Sequence, residues 1–207
     1  MINYSGIEAH ESVSVNNLPV GAYVGKIIKA EVETVGSGEN AFERLKIAVD
    51  VTEGDYKDHF RNQYNASLNG RYPAKWKGVI RYNIPKPGSQ YENGQKKALE
   101  HLAFCLEDSN AGYRWDGDET KMAGLVIGFS VREFDWIMER DGVLDSGTST
   151  EIGRAESVKR VKAGEVKPMR KRELSAKDKE KLISYQESMA IANENGMTAV
   201  QEEDLPF

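Results

Sequence analysis

Between Tyr56 and Tyr82 the chain reads YKDHFRNQYNASLNGRYPAKWKGVIRY, which holds six lysines or arginines, one acidic residue and seven aromatic rings when His59 is counted. Cations can neutralise phosphates, and flat rings can stack on bases. A surface built from both binds single-stranded nucleic acid without needing a sequence code. Within this stretch Tyr64, Tyr72, Trp76 and Tyr82 are the expected stacking rings, and Lys57, Arg61, Arg71, Lys75, Lys77 and Arg81 the expected phosphate contacts. The competing reading makes Phe60, Tyr64 and Trp76 core residues of a sheet under ordinary solvated lysines.

A second basic run follows a hundred residues later, with Lys159, Arg160, Lys162, Lys167, Arg170, Lys171 and Arg172. It is expected either to extend a nucleic-acid path or to dock an acidic segment of the same chain, against the alternative of an exposed, charge-solubilised linker. The net charge of the whole is −5, with an isoelectric point near 5.4, so attraction to polyanions must come from local patches rather than from the total. The last six residues, Glu202, Glu203, Asp204, Leu205, Pro206 and Phe207, set three carboxylates before an apolar tip. Leu205 and Phe207 can enter a small hydrophobic pocket on a partner while the acids meet its basic rim, and proline lowers the cost of ordering the tip.

These residues need elements to carry them. Ala22 to Val35 alternates as a half-buried strand, with Ala22, Val24, Lys26, Ile28, Ala30 and Val32 on one parity. Phe42 to Thr52 does so more clearly, with Leu45, Ile47, Val49 and Val51 inward and Arg44, Lys46 and Asp50 outward. Tyr56 to Tyr64 alternates as a third strand, and Trp76 to Tyr82 fits a short strand or the start of a crossover. From Gly94 the period changes to helical, with Ala98, Leu99, Leu102, Ala103 and Leu106. Met122 to Val131 returns to strand composition, Asp135 to Thr150 is rich in turn residues, and Glu151 to Val161 reads as a last strand. A helical pattern begins at Ser175. This order predicts a mainly β protein, a five-stranded OB-like Greek-key barrel with a helix between strands three and four, followed by a C-terminal helix and an acidic tail. The expected divisions are a flexible arm at 1–17, a binding domain at 18–163, a basic linker and helix at 164–195 and a partner-binding tail at 196–207.

The tip closely resembles that of bacterial and bacteriophage single-stranded DNA-binding proteins, position by position from Glu202 to Phe207. LPVGAYVGKIIKAEV, KWKGVIRY and GLVIGFSVRE resemble the phage-encoded branch of that family over roughly residues 18 to 163. The resemblance implies an OB fold, protection of single-stranded DNA in replication, recombination or repair, and recruitment of phage or host DNA-processing proteins through the tip. It further implies a place in the cytoplasm of a bacterial host. The chain departs from the common bacterial protein in lacking a long Gly/Gln/Pro-rich linker, with 175–195 patterned as helix. Neither the reach of the tip nor the oligomeric state is therefore transferred, and homo-oligomerisation stays open. Rival readings are a protein-interaction adaptor on a barrel scaffold and an RNA-binding barrel.

Catalysis finds little support. Asp55, Asp58 and His59 do not complete a metal site, Asp116, Asp118 and Glu119 read as a solvated loop, and neither HExxH nor GxxxxGK[ST] occurs. No enzyme activity, cofactor or metal is expected. The single cysteine, Cys105, lies in LAFCL and is expected to be a buried small hydrophobe. No apolar run is long enough to cross a bilayer, and the first residues lack the pattern of a signal peptide.

Overall fold

A computed structural model describes residues 17–38, 41–70, 73–140 and 142–197, with side chains described as far as residue 191. Five antiparallel strands form one open sheet: β1 (Gly21–Val35), β2 (Phe42–Val51), β3 (Val79–Asn83), β4 (Val126–Arg140) and β5 (Val143–Glu156), in the spatial order β3-β2-β1-β4-β5. Among the described residues four α-helices accompany it: α1 (His59–Ser67), α2 (Glu92–Ser109), α3 (Val158–Lys162) and α4 (Ala176–Met197). Among the described residues, no helix is long and apolar enough to cross a membrane.

The alternation in β2 puts Leu45, Ile47, Val49 and Val51 in the core, as their parity requires. β1 departs from its expected parity. Its register against β2 shifts between Ile27 and Lys29, so Ile27 and Ala30 are buried while Lys26 and Ile28 are exposed. A bulge of this kind exchanges the faces of the residues that follow it. Helix α2 lies between the third and fourth strands and buries Leu102, Cys105 and Leu106 completely. Burying each leucine contributes about 1.5–3 kcal/mol.

Tyr56 to Tyr64 is not a strand. Residues 53–58 form turns and α1 begins at His59, because the buried carboxylate of Asp50 supplies what a helix start needs. Asp50 Oδ1 accepts the backbone N–H of Phe60 at 2.9 Å and Oδ2 that of Arg61 at 3.3 Å, two donors that the first helical turn cannot satisfy internally. Asp50, expected to face outward, is therefore inside, and Phe60 is the buried residue of the helix. The third strand is instead Val79–Asn83. Its approach is controlled by Gly78, where an added Cβ would sit 2.4 Å from both a Phe60 ring carbon and the Val49 carbonyl oxygen.

The edge strands β3 and β5 do not pair with each other, yet side chains reach between them. The Ala155 N–H of β5 donates to the Tyr82 hydroxyl of β3 at 3.0 Å, and His101 Nε2 of α2 lies 3.2 Å from the Ala155 carbonyl. Side chains thus satisfy an edge position whose ladder partner is missing.

The DSGTS segment is part of β5 rather than a turn, and β4 and β5 pair from Arg140–Val143 back to Gly128–Glu156 with one register shift between Ser130 and Val131. The expected strand over Glu151 to Val161 ends at Glu156, and Val158 and Val161 belong to α3, which packs against α2, β1 and β4. Beyond it an extended strap returns along the sheet. Arg172 bridges Phe134 where β4 has run past its pairing with β1, exchanging backbone hydrogen bonds of 2.9 Å with Glu133 and Asp135. Met169 seats over Gly153, where a Cβ would meet its sulfur at 2.2 Å. Ser175 opens α4, its hydroxyl accepting the Asp178 N–H at 3.2 Å.

Candidate nucleic-acid interface

Trp76 is where the elements converge. Its indole Nε1 donates at 3.1 Å to the carbonyls of both Val49 and Gly78, which pins the ring at the start of β3. Tyr64 of α1 supports it, with ring centroids 5.9 Å apart and planes inclined by 46°. The ring packs partly on the core and stays half-buried.

Two concavities meet at this ring. The first, about 420 Å³, is lined by Lys29, Glu31, Lys46 and Ala48 of the β1–β2 pair together with Lys75, Trp76, Val79 and Arg81. The second, about 310 Å³, shares Lys75, Trp76, Val79 and Arg81 and adds Lys77, His59, Phe60 and Gln63; its opposite wall is Val131, Phe134, Thr150, Glu151 and Ile152 of β4 and β5. Together they form a groove floored by an aromatic ring and edged by cations.

The cations differ in their freedom. Lys75, Lys77 and Arg81 are exposed and form no ion pair among the described residues; Arg81 reaches only the Val79 carbonyl, at 3.5 Å. Lys46 is held by Glu31 at 3.2 Å and Glu33 at 3.1 Å, and Lys29 by Glu31. Hydrogen bonds, from Lys29 to Glu31 and from Arg44 to Glu33, followed by those from Lys46, hold both carboxyls below the ordinary glutamate range.

The structure sorts the residues expected from sequence. Lys75, Trp76, Lys77 and Arg81 come together in the groove. Tyr64 buttresses Trp76 and lines neither concavity. Lys57 and Arg61 are exposed at the start of α1 and line neither concavity, and Arg61 meets Asp58 at 3.6 Å. Tyr82 is a correction: only 8% of it is exposed, burial pushes its phenol pKa well up, and its hydroxyl is committed to Ala155, so it is a core residue rather than a stacking platform. Arg71 and Tyr72, and the tip from Glu202 to Phe207, lie outside the described residues.

The later basic run is largely neutralised within the chain. Lys159 meets Asp108 at 2.6 Å, Arg160 meets Glu156 at 3.7 Å, Lys162 meets Glu53 at 2.9 Å, Arg170 meets Glu173 at 3.6 Å and Lys171 meets Asp135 at 2.6 Å. Arg172 pairs with Glu151 at 2.8 Å and stands 4.9 Å from the centre of the Phe134 ring. Lys167 alone of the seven has no ion pair among the described residues.

Sequence reasoning missed Lys29, Lys46, His59, Gln63 and Phe134 as groove residues. The outward parity of Lys46 in β2 was a usable signal, whereas Phe134 reaches the groove only through the long β4–β5 pairing. No group of three or more His, Cys, Asp or Glu residues is placed to hold a metal ion among the described residues; Asp116 and Asp118 are both engaged by Lys121. No protein-family model matches the chain, and no curated protein matches it significantly.

Proposed function

We propose that this chain binds single-stranded nucleic acid in the groove across Trp76, and that in the cell it coats DNA exposed by replication or recombination. The observation that carries the reading is the fixed, half-buried indole of Trp76 flanked by Lys75, Lys77 and Arg81, three cations without carboxylate partners among the described residues. A base stacks on the ring while adjacent phosphates meet the lysines and arginine. The strand order, with a helix between strands three and four and side chains of β3 and α2 reaching β5 at Ala155, supports an OB-like arrangement whose last closure is made by side chains rather than by a ladder.

Preference for DNA, phage origin, action within a bacterial cytoplasm and recruitment of DNA-processing partners rest on the family resemblance of 18–163 and of Glu202 to Phe207. The role is stoichiometric and non-catalytic. Fluorescence anisotropy of the full chain with a 40-nucleotide single strand, its duplex and the matched RNA over a salt series is the test. Tight, salt-sensitive binding to the DNA strand with weak duplex binding is expected. Equal or absent binding to the single strand would leave an adaptor role, and stronger RNA binding would reassign the polymer.

A further inference from the structure

The groove has one wall that charge and stacking do not explain. His59 and Gln63 lie four residues apart on α1, hence on the same helix face, and both line the concavity beside Trp76. His59 Nε2 and Gln63 Oε1 are each covered from water and have no hydrogen-bond partner. Buried polar atoms are nearly always partnered, since an orphaned one forfeits its hydration without recompense. Two such orphans on one wall of one groove, next to its aromatic floor, mark a place prepared for a ligand with polar atoms of its own.

We propose that His59 and Gln63 form a reading pair for the Watson–Crick edge of one unpaired base, a proposal that rests on the single-strand reading above. Burial holds the His59 pKa below its ordinary value, against the opposing charge of Asp50, so the imidazole is neutral at pH 7, with one nitrogen donating and the other accepting. With Nε2–H as donor and Gln63 Oε1 as acceptor, a rotation of the two side chains toward the groove uncovers a donor and an acceptor one helical turn apart. Each of the four bases presents the complementary couple along its pairing edge: thymine its N3–H beside a carbonyl oxygen, adenine its amino group beside a ring nitrogen. The pair therefore tolerates any base, but takes only a base whose edge is not already engaged in a duplex. Selectivity for single strands thus gains a hydrogen-bonding component beyond stacking and charge.

The test compares a 15-nucleotide thymidine oligomer with the same oligomer methylated at every N3, which removes the donor and keeps the charge and the stacking face. The full-length protein and its Gln63→Met and His59→Asn variants are measured by anisotropy, with circular dichroism melts to establish folding. Wild type should lose roughly tenfold in affinity on methylation. Gln63→Met should bind both oligomers at the level at which wild type binds the methylated one, and His59→Asn, which keeps an N–H donor, should retain part of the discrimination. Equal wild-type binding to the two oligomers overturns the reading pair and leaves the single-strand function standing. A methylation penalty that persists undiminished in folded Gln63→Met overturns it as well. Binding to neither oligomer overturns the single-strand function and this proposal together.

Discussion

Two basic stretches of this chain look alike as text and differ in three dimensions. Around Trp76, Lys75, Lys77 and Arg81 stand on an exposed approach to a short strand and form no ion pair among the described residues. From Lys159 to Arg172, six of seven cations are each met by an acidic side chain from the body, the strap or the turn before α1. A cation already paired gains less from a phosphate, because it must first lose its partner. The first stretch is thus available to a polyanion, while the second fastens α3 and the strap to the sheet.

The widest separation between the two should appear when each loses three charges. Replacing Lys75, Lys77 and Arg81 together by alanine is expected to weaken single-strand binding on the order of a hundredfold at low salt and to reduce the slope of log affinity against log salt by about 2. Replacing Lys159, Lys162 and Lys171 should lower the melting temperature and leave that slope nearly intact. Parallel salt titrations of the two triple variants decide it. An equal fall in both slopes would mean that the intrachain pairs yield to DNA and that the strap belongs to the path.

Trp76→Ala comes next in size. Loss of a stacking platform costs about 1–3 kcal/mol per base, so affinity should drop roughly tenfold or more with little change in salt slope, the opposite signature to the cation variant. Trp76→Phe should recover part of the binding, since a ring remains, but not the two carbonyl hydrogen bonds. A salt slope that falls with the indole would show that the ring acts by positioning the neighbouring lysines.

Much of this contrast was legible in the sequence, and the part that was not has a physical cause. Lys75, Trp76, Lys77 and Arg81 sit within seven residues, so local spacing alone was enough to group them. The β2 core and the apolar face of α2 followed from periodicity. The Tyr56–Tyr64 segment misled because its alternation is real, while the feature that makes it helical is a carboxylate at Asp50, eight residues before the cap, acting through space. Tyr82 misled for a related reason: its ring type suits a base, but the open edge of β5 claims its hydroxyl. Pairing of the second basic run depends on Asp108, Glu53, Asp135 and Glu151, whose distances along the chain hide that they face it.

The smallest effect tests the boundary between the two regions, where the strap reaches the groove. Glu151 lines the concavity and pairs with both Arg172, at 2.8 Å, and Arg132, at 2.9 Å. Partial burial raises its pKa, but the hydrogen bonds and charges of the two arginines outweigh it and hold the carboxyl below the ordinary range. Because the folded value lies below the unfolded one, the pair's contribution to stability is complete above about pH 4.3, the unperturbed glutamate value, and is lost as pH falls through the lower folded value. Glu151→Gln should therefore melt lower at pH 7 and lose less than wild type on acidification, as thermal melts across that window would show. The same substitution removes a negative charge from the groove wall and releases two arginines beside it. Single-strand affinity should rise roughly threefold, with a steeper salt slope, as a neutralised corner comes to behave like the surroundings of Trp76. An unchanged slope would confine the DNA to the Trp76 side and place Glu151 and its arginines wholly in the service of the strap.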